Sequence, residues 1–288
     1  MNIRHILLAL IVPITWGVGF TLAKIGMEQF PPLMIMSMRF SIAGLIIIWF
    51  TKPPWGYMRY IFIVAFVGST LQYGLTYNGL RGLDASTAAI LVQLEAPILA
   101  LLAAIILKEK VGWGKAIGMS LAFVGVFIIS GEPRLEGSLD SVALIIIGAL
   151  VWAAAQIMVS KLKALSGLTI LAWVSVMAAP QMLLASFIFE QGQIQAIVNA
   201  TLIDWSIVLY LAIVMTALGY TVWYHLLRVC DVSKISPFLM LLPVSSIAAG
   251  ILLLDEVITM PMALGGALVL VGVGATLLDW KSLILKLR

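Results

Sequence analysis

Cysteine occurs once in the 288 residues, at Cys230, which excludes an internal disulfide and any metal cluster built from several thiolates. Histidine occurs twice, as His5 and His225, and neither belongs to an H-E-x-x-H pattern; G-x-S-x-G is missing as well. No two carboxylates fall at the centre of an apolar run. The groups that a hydrolytic or metal-dependent enzyme needs are therefore wanting, and the expectation is a non-enzyme with no metal and no cofactor. Charge is scarce too, at 10% of residues against roughly 25% in a soluble domain. No stretch between apolar runs is long enough for a separate soluble domain, so any activity is expected inside the apolar part.

What the chain has is oil. Hydrophobic residues make up 62% of it, and the mean hydropathy is +1.13. Runs near the roughly 20 residues needed to cross a bilayer recur throughout. Ten are read: Ile6–Ala23, Leu33–Phe50, Tyr60–Leu80, Ala85–Leu107, Val111–Ile129, Leu139–Val159, Leu168–Phe189, Trp205–Leu227, Ile235–Leu254 and Met260–Leu278. The predicted class is an all-α integral membrane protein of ten transmembrane helices. The first run follows Arg4 but lacks a small-residue cleavage site, so it is expected to remain as a helix.

A net charge of +4 and a pI near 9.2 raise the question of nucleic acid. The positions of the charges answer it. With the N-terminus inside, the inner segments hold Arg4, Lys52, Arg59, Lys108, Lys110, Lys115, Lys161, Lys163, Arg228, Lys234, Lys281, Lys286 and Arg288, and the outer ones only Lys24, Arg81 and Arg134. This is the positive-inside pattern, which predicts both termini in the cytoplasm and no nucleic-acid partner. The sequon Asn199-Ala-Thr201 falls in an outer loop and is read as chance.

"LRGLDAS" at Leu80 matches "LRVCDVS" at Leu227 in Leu, Arg, Asp and Ser. "LKEKV" at Leu107 matches "LDEVI" at Leu254 at the same offset of 147, and Gly118 and Gly125 fall on Gly265 and Gly272. Trp16 and Trp152 correspond at a shorter offset, and Pro97 and Pro243 with a one-residue slip. The chain thus divides into residues 1–137 and 138–288. Five spans per half is an odd number, so the second half must cross in the opposite sense. Two inverted repeats around a central cavity, with substrate near the midplane, are the usual build of secondary transporters.

With "WG" at Trp16, "EAPILALLAAIILKEKV" at Glu95 and "LLPVSSIAAGILLLDEV" at Leu241, the chain resembles the EamA family of the drug/metabolite transporter superfamily. Each half would be one EamA repeat. The resemblance implies export of amino acids and related metabolites across a bacterial inner membrane, most like the YddG-type aromatic amino-acid exporters. The second half departs from the first in having Leu242 where Glu95 would be expected.

Pro97 has no N–H for the carbonyl of Gln93 and its ring clashes there, so the fourth span should kink and free that oxygen. Pro243 should do the same to Leu239, and Pro13 and Pro180 should break the first and seventh spans. A charged residue at the bilayer centre costs on the order of 3 kcal/mol, so Glu95 should face inward. Arg39 and Glu95 both lie roughly 10–15 Å deep at ~1.5 Å per residue and could meet. Two readings stay open: a structural ion pair, or a substrate site in which Glu95 receives an ammonium and Arg39 faces a carboxylate. Whether Glu95 exchanges a proton depends on that pairing, so proton coupling and facilitated diffusion are both left open.

Ser69, Gln72, Tyr73 and Thr76 form a polar, aromatic stripe on the third span, matched by Thr216, Gly219, Tyr220, Trp223 and Tyr224 on the eighth. Such stripes commonly serve packing, but Gln72 and Tyr73 lie deep enough for the cavity. Trp152 and Gln156 form a similar pair on the sixth span. The candidate substrate site is Trp16, Arg39, Gln72, Tyr73, Gln93, Glu95, Trp152, Gln156 and Tyr220. Gly114, Gly118 and Ala122, with Gly265 and Gly272, predict a close scaffold seam between the fifth and tenth spans. His225 is read as a solvated residue near the inner end.

The expected function is export of small zwitterionic amino acids, aromatic or apolar and including threonine and methionine, by alternating access. The alternative is an exporter of cationic drugs or other small metabolites. Phosphorylated substrates would need more buried cations than Arg39. A receptor would be expected to carry a signalling domain that is not seen here. The partners expected are the lipid bilayer and a small-molecule substrate; the oligomeric state is open, a monomer included.

Overall fold

The computed structural model describes residues 3–106, 113–131, 138–230 and 235–277, and among these every regular element is helical. The repeat's Leu107–Val111 and Asp231–Ser233 stretches, and the basic residues Lys281, Lys286 and Arg288, lie outside them. The helices are α1 (Ile3–Gln29), α2 (Pro32–Ile47), α3 (Met58–Ala65), α4 (Gln72–Arg81), α5 (Ala85–Val92), α6 (Glu95–Ile106), α7 (Trp113–Ser130), α8 (Leu139–Val159), α9 (Gly167–Phe189), α10 (Gln193–Asn199), α11 (Leu202–Leu209), α12 (Gly219–Val229), α13 (Leu241–Leu254) and α14 (Met260–Leu277). A π-helical segment, Phe66–Leu71, joins α3 to α4, and a second, Tyr210–Leu218, joins α11 to α12. Seven of the resulting continuous helical runs are long and apolar enough to cross a membrane; three shorter apolar helices accompany them. The short α10 was not expected from the sequence.

Proline decides where helices break, but only in context. Ahead of Pro97 the fourth span breaks at Gln93 and Leu94, between α5 and α6. The Gln93 carbonyl is not left open as expected: it accepts the Ala96 N–H at 3.3 Å in a tighter turn. Pro243 falls in the first turn of α13, where its missing N–H costs no ladder bond, and the break lies before it, at the 3-10 turn Ser236–Met240. Pro13 and Pro180 break nothing. Both α1 and α9 continue through them, because one lost ladder bond is a small loss in a long helix.

In lipid, apolar surface gains nothing by hiding from water, so packing depends on close contact between helices. The α7–α14 seam follows this rule. A Cβ on Gly125 would lie 2.5 Å from the Gly265 carbonyl oxygen, and one on Gly272 equally close to the Gly118 oxygen and the Ala122 nitrogen. These are the small residues the repeat predicted. Elsewhere α2 lies along α9, α1 along α13 and α4 along α8.

Two helices begin without a cap of their own and borrow one. The N-cap residue of α2, Pro31, has no capping side chain, and the Glu190 carboxylate accepts the Leu33 and Met34 N–H groups at 2.8 and 3.3 Å. The N-cap residue of α5, Asp84, offers no capping bond either. There Glu256 accepts the Ala85 and Ser86 N–H groups at 2.6 and 3.0 Å and also the Ser86 hydroxyl. A carboxylate suits a helix N-terminus because orphan N–H groups and the helix dipole both favour negative charge. Glu256 is delivered by the turn after α13. Asp255 adopts the left-handed conformation (φ 52°), and the Glu256 N–H folds back to the Gly250 carbonyl at 3.2 Å.

Candidate functional site

Among the described residues Arg39 is the largest fully buried side chain, 1% exposed, and it sits midway along α2. Its Nε donates to Thr216 Oγ1 at 2.6 Å, and its Nη1 donates to the Tyr77 hydroxyl at 3.1 Å and to Met36 Sδ at 3.7 Å. The guanidinium lies 5.1 Å from the Tyr73 ring centre and 5.3 Å from that of Phe40, within cation–π range. All these partners are neutral. Among the described residues the sealed polar atoms that lack a partner are Gln72 Oε1, Trp173 Nε1 and Ser175 Oγ. Arg39 Nη2 makes no hydrogen bond with any described residue.

The second π segment builds the wall opposite. Where an α-helix would send the Gly219 N–H to the Met215 carbonyl, here it reaches Val214 and Thr216 instead. The Met215 oxygen takes the Trp16 indole N–H at 2.9 Å, and Trp16 lies against Tyr220 with ring centres 4.8 Å apart. Thr216 spends its own proton on the Leu211 carbonyl at 2.8 Å, which turns its oxygen toward Arg39. Single π turns are often found at functional sites. This one supplies both the carbonyl that holds Trp16 and the hydroxyl that holds Arg39.

Glu95 opens α6 at the break beneath Pro97. It is half-buried and makes no hydrogen bond or ion pair with any described residue. Of the two open readings, the ion pair with Arg39 is not formed. Arg39 instead donates to Tyr77 and Thr216. Tyr73 stacks between Phe40 and Tyr77, at 5.2 and 5.4 Å.

The structure thus gathers Trp16, Arg39, Tyr73 and Tyr220 into one neighbourhood, and Glu95 makes no side-chain bond to any of them. Gln93 is half-buried at the α5–α6 break. Trp152 and Gln156 are half-buried on α8, which packs against α4, α5 and α6, and Trp152 lies against the same apolar core as Trp16 and Tyr73. Gln72 is buried in the α4–α8 seam, its Nε2 donating to Thr76 Oγ1 at 3.0 Å. Sequence reasoning passed over Tyr77 and Phe40 and gave Thr216 no role beyond a stripe. Tyr77 carried a usable signal, one helical turn from Tyr73; the Thr216 contact spans 177 residues of chain and carried none. His225 is exposed, edge-on to His5 at 6.5 Å. Thr201 caps α11 reciprocally with Asp204, which gives the sequon's threonine a structural use.

Two hollows lie elsewhere. A polar pocket of about 570 Å³ opens beside the α1–α2 turn, lined by Glu28, Gln29, Asn78, Arg81, Glu190 and Asn199 among others. An apolar groove of about 330 Å³ runs between α1 and α13. Neither touches Arg39 or Glu95.

The profile of the EamA-like transporter family matches residues 3–131 and, a second time, 140–278. The chain belongs to the EamA-like transporter family. It is a multi-pass membrane transporter and not an enzyme. This EamA protein is similar to a "Probable amino-acid metabolite efflux pump" of Escherichia coli K12, 28% identical with 94% of each chain covered. The protein of the same name from Salmonella typhimurium is 26% identical over 92% of each. An "Uncharacterized transporter" of Archaeoglobus fulgidus is 29% identical over 94% of this chain and 97% of its own. A solved crystal structure aligns over 100% of both chains with a TM-score of 0.68 at 14% identity, a likeness of fold alone.

Proposed function

We propose that this EamA transporter exports small amino acids, preferentially aromatic or apolar ones, across a bacterial inner membrane by alternating access. The observation that carries the reading is Arg39: a buried cation with only neutral partners and a free guanidinium edge is a receptor for a carboxylate. Glu95, without a partner among the described residues, would receive the ammonium, and Trp16, Tyr73 and Tyr220 would flank a flat apolar side chain. The names of two similar proteins, amino-acid metabolite efflux pumps, agree with it.

In this reading ten helices form two inverted halves, residues 1–137 and 138–288, around a central cavity, with both termini in the cytoplasm. Several features support it. The family profile matches twice. Phe66–Leu71 moved by 147 falls inside Tyr210–Leu218, and the Gln93–Leu94 break falls on the junction at Met240 and Leu241. Helix pairings recur with the halves exchanged: α1 along α13 and α8 along α5 and α6; α4 along α8 and α12 along α1.

The test is counterflow of labelled phenylalanine, threonine and a sugar in proteoliposomes, with and without an imposed pH gradient. Phenylalanine flux well above that of the sugar is expected, and Glu95→Gln should lower it at least tenfold. Amino-acid flux no faster than in empty liposomes would sink the proposal. A second reading, export of cationic drugs, is favoured by one observation: Arg39 does not neutralise Glu95. Strong competition by quaternary ammonium compounds, with no effect of amino acids, would select it.

A further inference from the structure

The two halves differ at one hydrogen bond. Trp16 Nε1 donates to the Met215 carbonyl, which the π segment leaves over. Gly219 makes room, since a Cβ there would lie 2.5 Å from the indole nitrogen. The repeat-related place pairs Trp152, on α8, with the π segment Phe66–Leu71, where the Gln72 N–H likewise reaches past Gly68 to Val67. Position 72 corresponds to position 219 at the offset of 147, so the first half has a glutamine side chain where the second has glycine.

The register of α4 against α8 puts the parts side by side. A Cβ on Gly148 would lie 3.3 Å from the Thr76 nitrogen, and one on Gly68 2.8 Å from the Ala155 Cβ. Numbers rise on one helix as they fall on the other, so Gln72 is level with Trp152. Gln72 Oε1 is sealed without a partner. Trp152 makes no side-chain hydrogen bond with any described residue. A donor and a buried acceptor thus stand at one height, unjoined, where the other half has its bond made.

We propose that Trp16 and Trp152 are alternating latches that position the two halves during transport. In this structure Trp16 is fastened and Trp152 loose. In the opposite-facing state Trp152 Nε1 donates to Gln72 Oε1 and Trp16 leaves the Met215 carbonyl. Each state then holds a bond the other lacks, which is the differential interaction that a two-state equilibrium requires. The inference rests on the alternating-access reading with inverted halves.

The test uses the full chain in lipid nanodiscs, with Cys230→Ser and spin labels at Arg81→Cys and Asn199→Cys, which face each other across the polar pocket from different halves. The distance distribution is read without substrate. Trp16→Phe should move the ratio of the two states about fivefold away from the separation of this structure, the effect of one intramolecular hydrogen bond. Trp152→Phe and Gln72→Met should each move it about as far toward that separation. Shifts of the same sign for both tryptophans, or none, overturn the latches. If Trp16→Phe does not yield folded protein, the other two decide: movement away from this structure, or none, overturns the proposal. A failure to find amino-acid flux would sink the transport reading and leave these distances as they are.

Discussion

Arg39 is held by a geometry that lysine cannot copy. Its planar fork bonds Thr216 and Tyr77 at once while its faces meet Tyr73 and Phe40. Tyr77→Phe removes one hydroxyl from a charged group, a loss of about 1.5–3 kcal/mol. We therefore expect Tyr77→Phe and Arg39→Lys to raise the KM for a carboxylate-bearing substrate roughly 10- to 100-fold in counterflow, with smaller effects on maximal rate. The sequence pointed to Arg39 and Glu95 because a charge inside an apolar run is conspicuous. It could not give their partners: Thr216 approaches across the bundle, and Arg39 spends its donors on Thr216 and Tyr77 although its depth matched that of Glu95.

Among the elements, the α7–α14 seam and the borrowed caps make separable predictions. Gly125→Leu or Gly272→Leu forces a side chain into backbone 2.5 Å away, an overpacking cost of about 1–3 kcal/mol. Lower midpoints of thermal aggregation in detergent are the check. Glu256→Ala removes a helix cap worth ~1 kcal/mol, and Glu256→Gln, which keeps an acceptor oxygen, should retain more of the stability in the same assay. The seam was legible as glycines four and seven residues apart. The π segments were not. Phe66–Leu71 and Tyr210–Leu218 read as ordinary apolar helix, because the extra residue per turn arises from how these runs pack and not from residue type. Pro13 and Pro180 misled for the converse reason: a residue that ends an isolated helix is tolerated within a long, well-packed one.

At the scale of the molecule, orientation is the open quantity that a single experiment measures. Basic residues on one side predict that, in intact cells with Cys230→Ser, a membrane-impermeant thiol reagent labels Asn199→Cys and leaves Lys52→Cys untouched. Ten apolar runs and an internal offset of 147 were readable because hydropathy and repetition survive in the sequence, whereas the cross-half contacts are set by three-dimensional packing. The glutamate clasps are such contacts. Glu190 and Glu256 reach 157 and 171 residues along the chain to their helices, so parting the bundle at that end uncovers two helix starts at once. If that end parts, the freed N–H groups exchange a carboxylate for water. Under the alternating-access reading, the two clasps would give that end a paired fastening, released together.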